Sequence, residues 1–181
     1  MTARDLDGWT IAFDLDGTLV DSAPDLIGTL NHLLNDHGHP SVPLSSARHL
    51  VGHGARALLR HGFAEAGATW NEAADPGLFD RFIAHYLGRI ADDSRPFAGV
   101  PPTLDALAAR GALLCVATNK RSDLAEALID GLDLGRHFAV VAGADRVSAR
   151  KPAAAHVLEA VRMAGGDPAR AVMVGDASTD T

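Results

Sequence analysis

The 181 residues are 47% hydrophobic and 22% charged, enough apolar material for a buried core and too much for global disorder. The net charge of -7 excludes a general nucleic-acid binder, which needs a basic footprint, but not a small anionic substrate, because a bound cation reverses the local sign. The single cysteine excludes an intrachain disulfide, and no apolar stretch is long enough to span a membrane.

The N-terminus, Met1 to Trp9, carries Asp5 and Asp7 and lacks a signal-peptide apolar region, so a cytoplasmic location is the default expectation. Trp9 to Phe13 then forms a short apolar run, the first of four expected strands of a parallel sheet buried on both faces. From about Ser22 to Arg95 only helical patterns occur. Leu26, Leu30, Leu33 and Leu34 make one stripe ended by Gly38, and Phe79, Phe82, Ile83, Tyr86, Leu87 and Ile90 make another. This stretch is too long for one crossover helix and is expected to be an inserted helical subdomain, with Asp93-Ser94-Arg95-Pro96 as the return linker.

Beyond the insert, helices and strands alternate. Val100, Leu104, Leu107 and Ala108 share a helix face that stops at Gly111. Leu113 to Ala117 is the second strand, and Cys115 within it reads as a buried strand residue rather than a reactive thiol. Ser122 is placed to cap a helix carrying Leu124, Leu128, Ile129 and Leu132. Phe138 to Ala142 is the third strand. A helix with Val157, Leu158 and Val161 stops at Gly165-Gly166, and Ala171 to Val174 is the fourth strand. The alternation predicts an open doubly wound α/β core. The chain stops at Thr181, six residues after Gly175, where such a sheet would continue with another helix and strand. The expectation is a core incomplete at its C-terminal side, with the fourth strand an uncovered edge.

Candidate chemistry gathers where these strands end. Phe13-Asp14-Leu15-Asp16-Gly17-Thr18 puts two carboxylates two residues apart after a buried strand, and Gly17 allows a sharp turn after them. Ligand sites in open α/β sheets form at the carboxyl ends of strands, so Asp14 and Asp16 are expected to face one pocket. A surface Asp-Gly turn is the plainer alternative. The second strand ends in Thr118-Asn119-Lys120, donors that suit phosphate oxygens, although Thr and Asn also cap helices. Lys151 follows the third strand and precedes Pro152. Of the 16 basic residues only Lys120 and Lys151 are lysine, and both fall just after expected strands. A compact ammonium and a planar guanidinium are not interchangeable in a tight phosphate site. The fourth strand ends in Gly175-Asp176-Ala177-Ser178-Thr179-Asp180, again carboxylates at a strand end. Hard oxygen ligands beside a phosphate point to magnesium.

Taken together, these four segments resemble the four ordered motifs of the haloacid dehalogenase superfamily, over Ile11 to the C-terminus, with the helical insert placed like that family's cap. The resemblance implies a core of residues 1–21 and 96–181 and a cap of residues 22–95. It implies that Asp14 is a nucleophile and Asp16 a general acid/base whose backbone carbonyl also faces the metal. Thr118 and Asn119 would hold the transferring phosphoryl group, Lys151 would neutralise charge, Asp176 would bind Mg2+ and Asp180 would support the metal site. An acid at Asp16 argues against dehalogenation, and a cap without lysine argues against phosphonate cleavage.

Phe13 to Ser22, Phe97-Ala98-Gly99-Val100 and Val116 to Lys120 look most like phosphoglycolate phosphatases, which implies a small phosphorylated metabolite as partner; the acidic balance and the lack of a spanning stretch point to neither nucleic acid nor membrane. Val51-Gly52-His53-Gly54-Ala55-Arg56 resembles their substrate-specificity loop, with Gly52, Gly54 and Arg56 as substrate-binding candidates, or is a helix interrupted by glycines. The third motif lacks the second proline that relatives often carry at Ala154. Two competing readings remain: a truncated, non-catalytic phosphate-binding relative, and a sugar-phosphate mutase of the same superfamily. His49 and His53 have the spacing of a helical metal pair but no third ligand nearby, and ordinary surface histidines are the plainer reading.

Overall fold

The computed structural model describes residues 5–48, 51–52 and 54–180. His49 and His53 lie outside them. The described chain divides into two compact units, residues 1–21 with 95–181, and residues 22–94.

The first unit is built on a four-stranded parallel sheet. Its strands are β1 (Thr10–Phe13), β4 (Leu113–Ala117), β5 (Val140–Ala142) and β6 (Ala171–Val174), in the order β5-β4-β1-β6. Between them run helices α5 (Val100–Ala109), α6 (Ser122–Gly131) and α7 (Ala154–Met163). Ala12, Cys115, Ala117 and Ala142 project from the sheet onto Ala160 and Val161 of α7, and small side chains here let the helix sit close. Leu114 and Val116 alternate with these residues, point to the opposite face and are also buried, which accounts for β4 being apolar throughout. Burial pushes the Cys115 thiol up to about 12, so it stays protonated and unreactive. β6 is an outer strand, and its Val172 and Val174 are 46% and 39% exposed.

Two boundaries differ from expectation. Trp9 precedes β1 because its N–H donates to the Leu6 carbonyl in a turn rather than to the sheet. Phe138 precedes β5 and packs edge-on against Phe13 at 6.5 Å. Ser122 does not cap α6. It is the helix's first residue, and its N–H and hydroxyl both donate to the Asp145 carboxylate at 2.8 Å. A carboxylate from the β5–α7 loop therefore does the capping, and these bonds hold Asp145 below the usual carboxylate range despite its partial burial.

The second unit contains α1 (Ala23–Asp36), α2 (Leu44–Ala47), α3 (Ala55–Glu65) and α4 (Leu78–Leu87). The apolar stripes of α1 and α4 are its core, with Leu30, Leu34, Leu59, Leu78, Phe82 and Tyr86 almost fully buried. Buried Asp25 accepts hydrogen bonds from the Asp93 and Ser94 backbone N–H groups, from the Ser94 hydroxyl and from Arg89, which fixes the return segment to the start of α1. Two short strands, β2 (Val20–Asp21) and β3 (Arg95–Pro96), pair antiparallel where the chain leaves and re-enters the sheet unit. Arg95 pairs with Asp21, so the insert is one residue shorter than expected.

Candidate active site

Parallel register sets the site. Phe13 lies level with Val116 of β4 and with Val174 of β6, so the residues that follow each strand emerge on one edge of the sheet. The Asp14 N–H donates to the Val174 carbonyl at 2.9 Å, extending the ladder by one residue and aligning the nucleophile candidate with the loop that carries Asp176.

Asp14 is buried, and its Oδ1 accepts from the Leu15 N–H at 2.7 Å and from Lys151 Nζ at 2.8 Å. Among the described residues its Oδ2 accepts no hydrogen bond. Burial raises the Asp14 carboxyl from 3.8 to about 6, and the Lys151 ammonium opposes that rise. The same Nζ donates to Asp180 Oδ1 at 2.7 Å, and the Lys151 side chain is only 2% exposed. Asp180 also accepts from the Ala177 N–H through Oδ2, so it ties the Lys151 ammonium to the β6 loop.

After Asp14 the chain turns tightly, with the Leu19 and Val20 N–H groups both donating to the Leu15 carbonyl at 3.0 Å. Gly17 has φ +90°, and a Cβ there would lie 2.5 Å from Asp176 Oδ2. Only glycine lets the turn and the Asp176 carboxylate come this close. Thr18 Oγ1 donates to Asp176 Oδ1 at 2.7 Å and orients it. Asp14, Asp176 and Asp180 offer carboxylate oxygens within 4.8 Å of one another, which fits a small hard cation. The Asp16 carboxylate, expected as the general acid/base, is engaged separately from this group. Lys120 Nζ donates to both its oxygens, at 2.9 and 3.2 Å, and both side chains are under a tenth exposed.

The β4 end supplies the remaining groups. Thr118 is buried, its N–H donates to the Ala142 carbonyl, and its Oγ1 accepts from the Lys120 N–H at 3.2 Å, leaving the hydroxyl proton to donate elsewhere. Asn119 is turned toward the Lys151 backbone. Thr18 and the Lys120 contact to Asp16 were not anticipated from sequence. The signals for Lys120 were its place in the donor run Thr118-Asn119-Lys120 and the scarcity of lysine, and nothing marked Thr18 apart from its place in the first motif.

Gly52, Gly54 and Arg56 belong to the other unit. Gly52 and Gly54 have φ of +95° and +91°, and α3 begins at Ala55. Arg56 is engaged within its own unit. It donates to both Glu72 carboxylate oxygens at 3.0 and 3.1 Å, and its guanidinium lies 3.8 Å from the Phe79 ring centroid.

Comparison with known proteins agrees with this geometry. The profile of the haloacid dehalogenase-like hydrolases matches residues 11–181. The chain is 52% identical to a phosphoglycolate phosphatase of Caulobacter vibrioides over 179 residues, covering 99% of this chain and 76% of that protein. It is 44% identical to a phosphoglycolate phosphatase of Agrobacterium fabrum, covering 99% and 77%. Among solved structures, a predicted phosphoglycolate phosphatase from Haemophilus somnus superposes with a TM-score of 0.85 at 27% identity, over 97% of this chain and 79% of that one. The order of the motifs, the sheet that carries them and these matches have one origin: the chain belongs to the haloacid dehalogenase-like hydrolase family.

Proposed function

We propose that the protein is a magnesium-dependent phosphatase that hydrolyses 2-phosphoglycolate through an aspartyl-phosphate intermediate. The observation that carries the reading is Asp14, whose Oδ1 is fixed by Lys151 and the Leu15 N–H while Oδ2 accepts no hydrogen bond among the described residues. The names of the relatives supply the substrate.

In this reading Asp14 Oδ2 attacks phosphorus and the bond to the ester oxygen breaks. The Thr118 hydroxyl donates to a phosphoryl oxygen, and Lys151 offsets the repulsion between the carboxylate and the phosphate dianion. Asp16 gives a proton to the leaving oxygen, which requires release from Lys120. Asp16 then takes a proton from water, the water oxygen attacks phosphorus, and phosphate leaves with Asp14 restored. Held by Lys120, the Asp16 carboxylate is arranged for this second, basic role. Asp14, Asp176 and Asp180 would hold Mg2+, which when bound supplies neutralisation of phosphoryl charge. The helical unit, with Gly52, Gly54 and Arg56, would act as the cap that selects the organic part of the ester.

The test is phosphate release from 2-phosphoglycolate against a panel of small phosphate esters, with and without Mg2+. Release fastest from 2-phosphoglycolate supports the reading. An isomerised sugar phosphate would identify a mutase instead, and binding without turnover a non-catalytic relative.

A further inference from the structure

The amide of Asn119 makes two hydrogen bonds to one backbone residue 32 positions away. Its Oδ1 accepts from the Lys151 N–H at 2.9 Å, and its Nδ2 donates to the Lys151 carbonyl at 3.1 Å. The side chain thus mimics a neighbouring peptide, pairing with both polar groups of the Lys151 backbone as a strand would. Next to this pair the chain turns, with the Ala153 N–H donating to the Arg150 carbonyl at 2.9 Å. Lys151 is 5% exposed, so its backbone groups would find little water if the amide were removed. At the far end of the same residue, Nζ sits 2.8 Å from Asp14 and 2.7 Å from Asp180.

We infer that Asn119 is a positioning residue that acts through Lys151, holding its backbone so that the ammonium meets Asp14 in the attacking geometry, and that its side chain is not itself a phosphate ligand. This rests on the aspartyl-phosphate reading and reassigns one residue within it. Thr118 and Asn119 are neighbours with different tasks. The Thr118 hydroxyl keeps a proton to donate, whereas the Asn119 amide uses its oxygen and one N–H on the backbone of a single residue, which fixes its orientation. Loss of the clamp lets Lys151 drift, and small misplacements of a reacting group cost on the order of 100-fold in rate.

A double-mutant cycle tests this, with Asn119→Ala, Lys151→Ala and the pair assayed on 2-phosphoglycolate, and inhibition by inorganic phosphate measured on each. Asn119→Ala is expected to lower kcat by about 10- to 100-fold while KM and the inhibition constant for phosphate move less than about twofold, and the double variant should be no slower than Lys151→Ala alone. An equal Asn119→Ala loss in both backgrounds, or phosphate inhibition weakening in step with kcat/KM, overturns the inference and makes Asn119 a direct phosphate contact. If Lys151→Ala turns over like the wild type, the phosphatase mechanism itself fails, and the inference with it. Asn119→Asp guards against a folding defect. It keeps the acceptor for the Lys151 N–H but turns a second oxygen toward the Lys151 carbonyl, so amide exchange at Lys151 should speed up while the rest of the sheet stays protected. Unchanged exchange at Lys151 overturns the inference.

Discussion

Replacing Asp14 by Asn should abolish turnover and stabilise the fold, and the size of the stabilisation follows from burial. In the folded protein the Asp14 carboxyl is raised from its ordinary 3.8 to about 6, because burial penalises the charged form more than Lys151 favours it. The folded state therefore prefers the protonated acid, and ionisation of Asp14 works against folding. At about 1.4 kcal/mol per pKa unit, the gap between 3.8 and about 6 amounts to about 3 kcal/mol. That cost is absent below pH 3.8, grows between 3.8 and 6, and is complete above pH 6. An amide copies the shape of the neutral acid and never ionises, so Asp14→Asn should gain up to about 3 kcal/mol at neutral pH and nothing near pH 3. For a chain of this length, about 3 kcal/mol corresponds to a rise of roughly 6–12 °C in melting temperature. The assay is thermal and urea unfolding of both proteins from pH 3 to pH 8, in chelator, since a bound cation would itself favour the ionised form. A gap of the same size at pH 3 and pH 8, or an Asn variant less stable than the wild type at pH 8, would refute the reasoning. In the wild type the same titration, followed in chelator through the carboxyl carbon signal of Asp14, should move to higher pH when Lys151 is replaced by Met, because the ammonium opposes the rise.

Three further outcomes are expected. Chelation should remove activity, with magnesium restoring it and calcium restoring little, because calcium takes more ligands at longer distances; full turnover in excess chelator would exclude a metal role for Asp176 and Asp180. Lys151→Arg should lose about 100-fold in kcat/KM although the charge is kept, since Nζ is wedged between Asp14 and Asp180 with 2% exposure, and activity within a few-fold of wild type would show that charge alone suffices. Lys120→Met removes the partner that both Asp16 oxygens share and should cost about 3 kcal/mol in urea unfolding at pH 7, together with build-up of phosphoenzyme in rapid-quench experiments as the basic step slows; a loss under about 1 kcal/mol would mean that the pair is not structurally important.

Much of the sheet was legible because its inner strands, β1 and β4, are covered on both faces. Leu113 to Ala117 is apolar at every position, which leaves few other structures for it. The insert was legible for the opposite reason: its stripes repeat at helical spacing, with Leu26, Leu30, Leu33 and Leu34 buried on α1 and Phe82 and Tyr86 on α4, although Leu87 is 45% exposed. Strand ends were less legible. Trp9 and Phe138 are as apolar as the strands they precede, and hydrogen bonds that no periodicity encodes set them outside. Ser122 shows a local rule losing to a tertiary contact. A serine at the start of a helix reads as a cap, but the Asp145 carboxylate, 23 residues away, takes its N–H and its hydroxyl together. Asn119 is the same kind of case. Its chemistry as a donor was visible, while its partner, 32 residues on, was not.

Lysine usage carried more than a motif could. The Lys120 and Lys151 side chains are nearly buried, and each ammonium lies against a carboxylate of the first motif: Lys151 on Asp14 and Lys120 on Asp16. A guanidinium is broader than either setting, which gives a physical reason for lysine at these two positions in a chain that otherwise uses arginine. The two lysines face four carboxylates, Asp14, Asp16, Asp176 and Asp180, so the fully ionised site holds an excess of two negative charges. A phosphate dianion would be repelled from such a site. A divalent cation held by Asp14, Asp176 and Asp180 brings the balance to neutral, and only then does a dianion gain by entering. Charge balance at this edge of the sheet thus makes cation binding and phosphate binding mutually dependent, with each expected to tighten the other.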